Sequence, residues 1–444
     1  METVWFVSLI GAICLEGLGR KYLPAIPPPA FYFFKDIVLL FGYLRFRPTP
    51  PVQRVARYLY RGFEAFFFAS FGWTIIEIFN PDQQSKALGL IGMRAYWLWW
   101  LAPVVIANVL QSRKQKDRAI YVLSVLGIGI AALAAVQFVS PADSTVNLYS
   151  SQDGEEVYAA DMATVASTGR ARVSSTFTFL SGFVDFTLTI PALLLSLGLD
   201  SKNPRVRWFA LIATLATAAA IPMSGSRGAV VVGGAILMIT MWSAGLFFTR
   251  MGRRVLIGSV IAAVLSVIAF PDAMLGVRSR FEDQEETTSR LQEIGSAIPL
   301  IALFQFDYPA LGIGTGMQQN SKASFHIYTA WDAEGELARY LVELGPVGFA
   351  LIWTAKFGLM IALLRCYSIL KQAGRRGSAS AALSYAALTM FGNLAFDHNW
   401  QALYFVGCGF ILADVVVVLR EKASVPVPVA REIAPQLIAR QPTA

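Results

Sequence analysis

Apolar runs long enough to cross a bilayer, each needing roughly 20 residues, recur along this chain of 444 residues and leave few folds open to it. Hydrocarbon supplies no hydrogen-bond partners, so runs of this length are read as helices that satisfy their own backbone and pack against one another. Composition agrees, because only 15% of the residues are charged against about 25% in soluble domains. A soluble enzyme is therefore excluded. Reading the runs against their polar breaks predicts an all-α polytopic bundle over residues 1–420 with twelve spans, near 2–18, 29–45, 62–79, 88–110, 119–139, 176–199, 208–223, 228–248, 255–271, 337–364, 379–396 and 400–419. The first run has no charged leader and no small-residue cleavage site, and Glu16 sits near its end, so it reads as a retained span. Cys14, Cys366 and Cys408 fall in or beside apolar runs and offer neither a disulfide framework nor a metal pair.

Orientation follows from the basic residues. The connections holding Arg45, Arg47, Arg54, Arg57 and Arg61, then Arg113 to Arg118, Lys202 to Arg207, Arg250 to Arg254, Arg365 to Arg376, and the tail, carry 23 of the 37 Lys and Arg residues. The positive-inside rule makes that side cytoplasmic, with both termini inside. The net charge of +8 is then a property of cytoplasmic loops and not of a nucleic-acid surface. The tail from about residue 421 is rich in Pro and Ala and is expected to be poorly ordered.

Two outward connections are long, about 140–175 and about 272–336. They are acidic, through Asp153, Glu155, Glu156, Asp161, Glu282, Asp283, Glu285 and Glu286, yet Arg170, Arg172 and Arg290 stand in them and Arg227 faces the same side. Arginines retained among carboxylates on the outward side point to a bound anion. At Pro222–Gly228 a tight break puts Ser224 or Ser226 at a helix N-cap, so that free N–H groups, the positive helix end and Arg227 converge as at a phosphate site. The competing reading pairs Arg227 with a loop carboxylate or a lipid phosphate. Arg290 opens an amphipathic helix and reads equally as part of a solvated face; Arg172 reads equally as an interfacial anchor. The stretch 289–306 is too short to span and is expected along the interface or over the bundle mouth. With only His326 and His398 in the chain a His-rich metal site is not expected, and no P-loop, dinucleotide fingerprint, HExxH or nucleophile elbow occurs.

Lys35, Asp36, Glu64, Glu77, Arg94, Asp185, Lys356 and Asp414 lie within predicted spans, where ionisable residues are functional candidates or cross-helix pairs. Adjacent Lys35 and Asp36 fit pairing poorly, since helical neighbours point apart. Asp397-His398-Asn399 reads as a capping turn between the last two spans.

Taken in order, these elements resemble the O-antigen ligase and polymerase superfamily of bacterial envelope glycan assembly. Arg172–Phe177 is similar to its Arg-x-Ser-x-Thr-Phe, Ser226-Arg227-Gly228 to its Ser-Arg-Gly, Ser289-Arg290 to an outward-loop arginine element, and Pro309–Gly314 to Pro-x-x-Gly-x-Gly. Leu337, Leu341, Glu343, Gly345 and Gly348 resemble its closing Leu-rich turn and Glu-x-Gly-x-x-Gly. One departure stands out. Where ligases of the family carry Ala-His-Asn upstream of that element, this chain reads Ala333-Glu334-Gly335, which favours polymerases over ligases. The resemblance implies a multi-pass protein of the bacterial inner membrane, facing the periplasm, that acts on a glycan donor linked to undecaprenyl diphosphate and a lipid-linked or lipid A-core acceptor. It implies membrane lipids and other envelope polysaccharide assembly proteins as partners; no outward Asp cluster has the spacing of metal ligands, so no metal and no cofactor are expected. Arg227 and Arg290 would stabilise the diphosphate, Glu334 or else His326 would act as base, and Arg170, Arg172, Ser226, Gly228 and Glu343 would line the substrate site. A transporter is the competing class, disfavoured because no internal repeat is evident and the outward loop is large.

Overall fold

In the computed structural model of the chain the structure describes residues 1–152, 155–165, 168–249, 252–253, 256–258, 261, 268–282, 304, 308–319, 322, 325–329, 331, 333, 335–395 and 397–424. Helices α1 (Glu2–Tyr22), α2 (Pro28–Arg45), α3 (Pro50–Leu59) and α4 (Glu64–Ile76) are followed by α5 (Lys86–Trp97), α6 (Ala102–Val109) and α7 (Arg113–Val139). An antiparallel hairpin, β1 (Leu148–Gln152) and β2 (Glu155–Tyr158), and the single turn α8 (Ala159–Met162) interrupt the helices. Then come α9 (Leu180–Asp200), α10 (Pro204–Ala220), α11 (Arg227–Ser243), α12 (Pro271–Glu282), α13 (Glu336–Gln372), α14 (Arg376–Phe391) and α15 (His398–Ser424).

Every predicted span except 255–271 falls on a helix, and that one lies mostly outside the described residues, as do almost all of 289–306 and the tail beyond Ser424. Among the described residues, seven helices are long and apolar enough to cross a membrane, or eight if α3 and α4, bent by 94°, form one broken span. The others fall short for visible reasons: α2 carries Lys35, Asp36 and Arg45, while α11 has 17 residues and α14 has 16. Helices α3 and α12 and the hairpin were not expected from the apolar pattern; α3 is strongly two-faced, burying Val52 and Leu59 beneath Arg54 and Arg57.

Two helices form the centre. In α9 and α15, 89% of the apolar window is buried inside the protein, against 39–50% in the other spans. Their faces are apolar all round, as a helix enclosed by other helices requires. Around them α10 packs on α7 and α9, α14 on α9 and α13, and α6 on α15.

Polar contacts fix which helix ends lie together. Ser201 Oγ donates to Asp117 at 2.8 Å and Gly377 N to Asp200 at 3.0 Å, which gathers the starts of α7 and α14 at the end of α9. Arg365 donates to the carbonyls of Leu59 and Arg61 at 2.6 and 2.9 Å, adding the α3–α4 bend to this basic end. At the other end Lys21 reaches Ser174 at 2.7 Å, Ser175 N reaches Gln137 at 2.7 Å and Leu394 N reaches Glu336 at 2.7 Å. The segments 140–179, 221–226 and 392–397 therefore share one end.

Several charges inside the bundle are paired, most of them between helices. Lys35 meets Glu16 of α1 at 2.6 Å, while its neighbour Asp36 meets Arg94 of α5. Neighbours in a helix do point apart, and here each finds a partner on a different side, so the adjacent pair that looked unfavourable serves two helix contacts. Lys116 pairs with Asp414, and Lys356 with Glu336 at 2.5 Å. Removing one member leaves a buried charge without its counter-ion, at a cost of about 3–5 kcal/mol. Arg94→Met is expected to lower the unfolding temperature in detergent markedly, and adding Asp36→Asn to recover most of the loss; equal instability of the single and double variants would show that the pair does not couple α2 to α5.

Candidate functional site

The break between α10 and α11 is a built turn. A 3-10 turn at Ile221–Ser224 ends in Gly225, whose φ of 62° is left-handed and suits glycine. Ser226 is the N-cap of α11: its Oγ accepts the Ala229 N–H at 3.3 Å. Ser224 has a different task, donating to the Ile221 carbonyl at 2.7 Å and accepting the Ser226 N–H at 3.2 Å. Arg227 is thereby the first residue of α11 and half-buried, while Gly228 is exposed, and a Cβ built there would meet only Ser226 Oγ at 3.9 Å. Among the described residues nothing else stands within 4 Å of that position.

Arg172 reaches the same turn from the loop between α8 and α9. Its Nε donates to the Ser224 carbonyl at 3.1 Å, and a Cβ on Gly225 would stand 3.3 Å from that nitrogen. The loop carrying it is pinned by Arg172 N to the Ala163 carbonyl at 2.8 Å and Val173 N to the Met223 carbonyl at 3.3 Å. Tyr149 of β1 donates its phenolic proton to the Arg172 carbonyl at 2.6 Å; burial pushes this phenol up to about 12, so the proton stays in place. Arg172 and Arg227 thus stand at one glycine turn and at the positive end of one helix. Arg170 is used otherwise. Its Nε pairs with Asp272 of α12 at 2.9 Å and its Nη1 donates to the Val139 carbonyl at 3.2 Å, bracing the loop.

The rest of the Arg172–Phe177 segment faces inward. Ser175 Oγ donates to the Ile130 carbonyl at 2.8 Å, Thr176 Oγ1 to the Cys14 carbonyl at 2.5 Å, and Phe177 is buried. These residues hold the loop on α1 and α7.

A second structure is built where α13 kinks. Gly345 adopts a φ of 64° and Pro346 follows, so the carbonyl of Val342 faces a residue without an N–H and those of Glu343 and Leu344 are turned out of the ladder. All three are taken up from outside: by Ile313 N at 2.9 Å, Gly314 N at 3.0 Å and Trp73 Nε1 at 3.0 Å. The glycine loop Pro309–Gly316 is therefore seated on the kink. Gly312, with φ at 80°, approaches so closely that a Cβ would lie 2.4 Å from the Glu343 carbonyl oxygen. The Glu343 carboxylate completes the seat by accepting Gly316 N at 2.8 Å, Gln318 N at 2.6 Å and the Tyr96 hydroxyl at 2.9 Å. Glu343 is fully buried and engaged by these donors, and Arg339 Nε donates to the Ala333 carbonyl at 3.0 Å.

Glu334 and Arg290 lie outside the described residues. His326 is exposed with a φ of 52°, in the loop following the glycine loop. Glu336 accepts Tyr340 Oη at 2.5 Å and Leu394 N at 2.7 Å besides its pairing with Lys356. Asp397 caps α15 by accepting Asn399 N at 3.0 Å and Trp400 N at 3.2 Å, as its place in the sequence suggested. Its neighbour His398 does more: Nε2 stands 3.1 Å from Arg94 Nη1 and 2.9 Å from the Tyr32 hydroxyl. Sequence reasoning missed Tyr149, Tyr96 and Lys21 as partners of the motif residues; nothing in their own spacing marks them, because each acts across the fold. Among the described residues no group of three or more His, Cys, Asp or Glu is placed to hold a metal ion.

Residues 212–353 match the family model described as O-antigen ligase, a segment that contains the Ser226–Gly228 turn, Arg290, the glycine loop and the α13 kink, while Arg170 and Arg172 precede it. No curated protein matches the chain. The chain thus combines several helices long and apolar enough to cross a membrane with a segment, residues 212–353, that is similar to the O-antigen ligase family.

Proposed function

We propose that this protein is a polymerase that joins oligosaccharide repeat units carried on undecaprenyl diphosphate at the periplasmic face of the bacterial inner membrane. The observation that carries the reading is the convergence of Arg172 and Arg227 on an open, glycine-lined helix start. Transfer forms a bond from an acceptor hydroxyl oxygen to the anomeric carbon of the donor and breaks the bond from that carbon to the diphosphate, inverting the configuration. The leaving group departs with its electron pair, and preorganised cations stabilise the charge without reorganising. Arg227, Arg172 and Arg290 take this part, which in this reading leaves no need for a divalent ion. The acceptor proton passes to Glu334, or to His326 in its absence. The basic end of the bundle lies in the cytoplasm with both termini, which puts the arginine turn outside.

The ligase reading has its own support in the name of the matched family. Against it stands Glu334, where ligases carry histidine. Cells lacking the protein separate the two: single lipid-linked repeat units with no long chains are expected, whereas long lipid-linked chains that fail to reach a final acceptor would make it a ligase.

Two variants test the site. Arg227→Ala is expected to lower transfer of purified protein by at least ~10²-fold with its unfolding temperature kept, and near-normal turnover would remove the diphosphate clamp. Gly312→Ala places a Cβ against the Glu343 carbonyl; it is expected to unseat the glycine loop and abolish transfer while the protein still inserts, as read by turnover and by protease cleavage between residues 309 and 319. A fully active, protease-resistant variant would refute the seat.

A further inference from the structure

The elbow that joins α2 to α4 through α3 carries charge that the fold does not answer. Residues 37–63 hold Arg45, Arg47, Arg54, Arg57 and Arg61 and no Asp or Glu. All five are exposed, and none makes an ion pair among the described residues. The helices packed on α3 bring no counter-charge. Helix α6 and the part of α13 beyond Glu343 contain no carboxylate, and in α15 Asp414 is held by Lys116 and Glu421 by Arg375. Glu64, which opens α4, accepts Gly62 N at 2.6 Å and attracts Arg61. It answers one cation, and Arg365 of α13, donating to the Leu59 and Arg61 carbonyls, brings another. The elbow is also fixed in place: Asn108 of α6 accepts Thr49 N at 3.1 Å and Tyr60 donates to the Ala355 carbonyl at 2.7 Å. Helix α3 buries Val52 and Leu59 and is bent by 94° from α4, so where α4 runs through the bilayer α3 lies along its surface, with Arg54 and Arg57 on its exposed face. Exposed apolar side chains flank the arginines on both sides, Phe41 and Leu44 before Arg45 and Phe66 and Phe68 after Arg61.

We propose that this elbow binds the headgroups of anionic phospholipids. Five unanswered guanidinium groups suit any polyanion, but apolar side chains exposed beside them suit one whose phosphate is carried on acyl chains. Each guanidinium can take two phosphate oxygens at once. Tyr60 and Arg365 join the elbow to α13, the helix whose kink seats the glycine loop, so lipid held here steadies that helix from its other end. The inference is independent of the polymerase reading.

The test titrates phosphatidylglycerol into the full chain held in micelles of a neutral detergent, with the unfolding temperature as readout and inorganic polyphosphate as the probe of a second arm. The lipid is expected to raise the temperature saturably, and Arg54→Gln with Arg57→Gln to move half-saturation upward at least about tenfold; these side chains have no internal ion pair to lose, so the variant keeps its fold. Lys202→Gln with Arg205→Gln removes the same charge from exposed positions elsewhere at the basic end and is expected to leave half-saturation unchanged. No response to the lipid, an unaltered response in the elbow variant, or equal weakening in the control variant would overturn the proposal. A response to polyphosphate as strong as that to the lipid would overturn it too, in favour of a soluble polyanion.

Discussion

In a bilayer a backbone carbonyl that leaves its helix must find another donor, and at Gly345–Pro346 three successive carbonyls leave theirs. Where they go decides the architecture of this part of the bundle. Two are taken by N–H groups of the glycine loop and one by the Trp73 indole on α4. The loop in turn needs donors satisfied and space provided: Gly92 on α5 admits the Gly316 backbone, to within 2.4 Å of where a Cβ would stand, and Glu343 accepts the N–H groups of Gly316 and Gln318. A kink that would be a defect in an isolated helix is thereby the socket on which four segments meet. Glu343 belongs to that socket, and its burial follows from the same accounting, since a carboxylate with three neutral donors is tolerable away from water.

The interior charges obey a related rule. Three buried pairs link different helices: Glu16 with Lys35, Asp36 with Arg94, Lys116 with Asp414. Such pairs contribute little net stability relative to apolar packing, but they fix register, because a helix sliding by one residue would leave a charge unmet. Lys21 differs, holding Ser174 at 2.7 Å and the Ser175 carbonyl at 3.4 Å with the Tyr149 ring 5.5 Å away. It secures the loop that presents Arg172, and Tyr149 joins it there from the hairpin.

The spans were legible in the sequence because hydropathy is a local property, and the cap at Ser226 was legible for the same reason: one hydroxyl, one glycine and the start of an apolar run. The grouping of basic residues at one end could also be read, since it depends only on counting turns of the chain. What could not be read was which motif touches which. Arg172 and Ser224 are 52 positions apart, and Tyr96 and Glu343 are 247 apart, so no spacing announces either contact. The pairing of Lys35 and Asp36 was misjudged because sequence shows that neighbours diverge but not that partners wait on both sides. Helix α3 escaped notice because its charged face masks its apolar one.

The two motif pairs differ in what they leave available. At the α13 kink every polar group is turned inward, with the carbonyls capped and the Glu343 carboxylate enclosed, so this half positions the chain that follows it. At the Gly225 turn the reverse holds. Ser226 satisfies one N–H of α11, Arg172 lies along the turn with its Nε on the Ser224 carbonyl, and at Gly228 a Cβ would meet only Ser226 Oγ among the described residues. A helix start with open access and guanidinium groups beside it is a place for an anion from outside. The closed half therefore fixes the geometry of the chain around the kink, and under the proposed function the open half is where the diphosphate would bind.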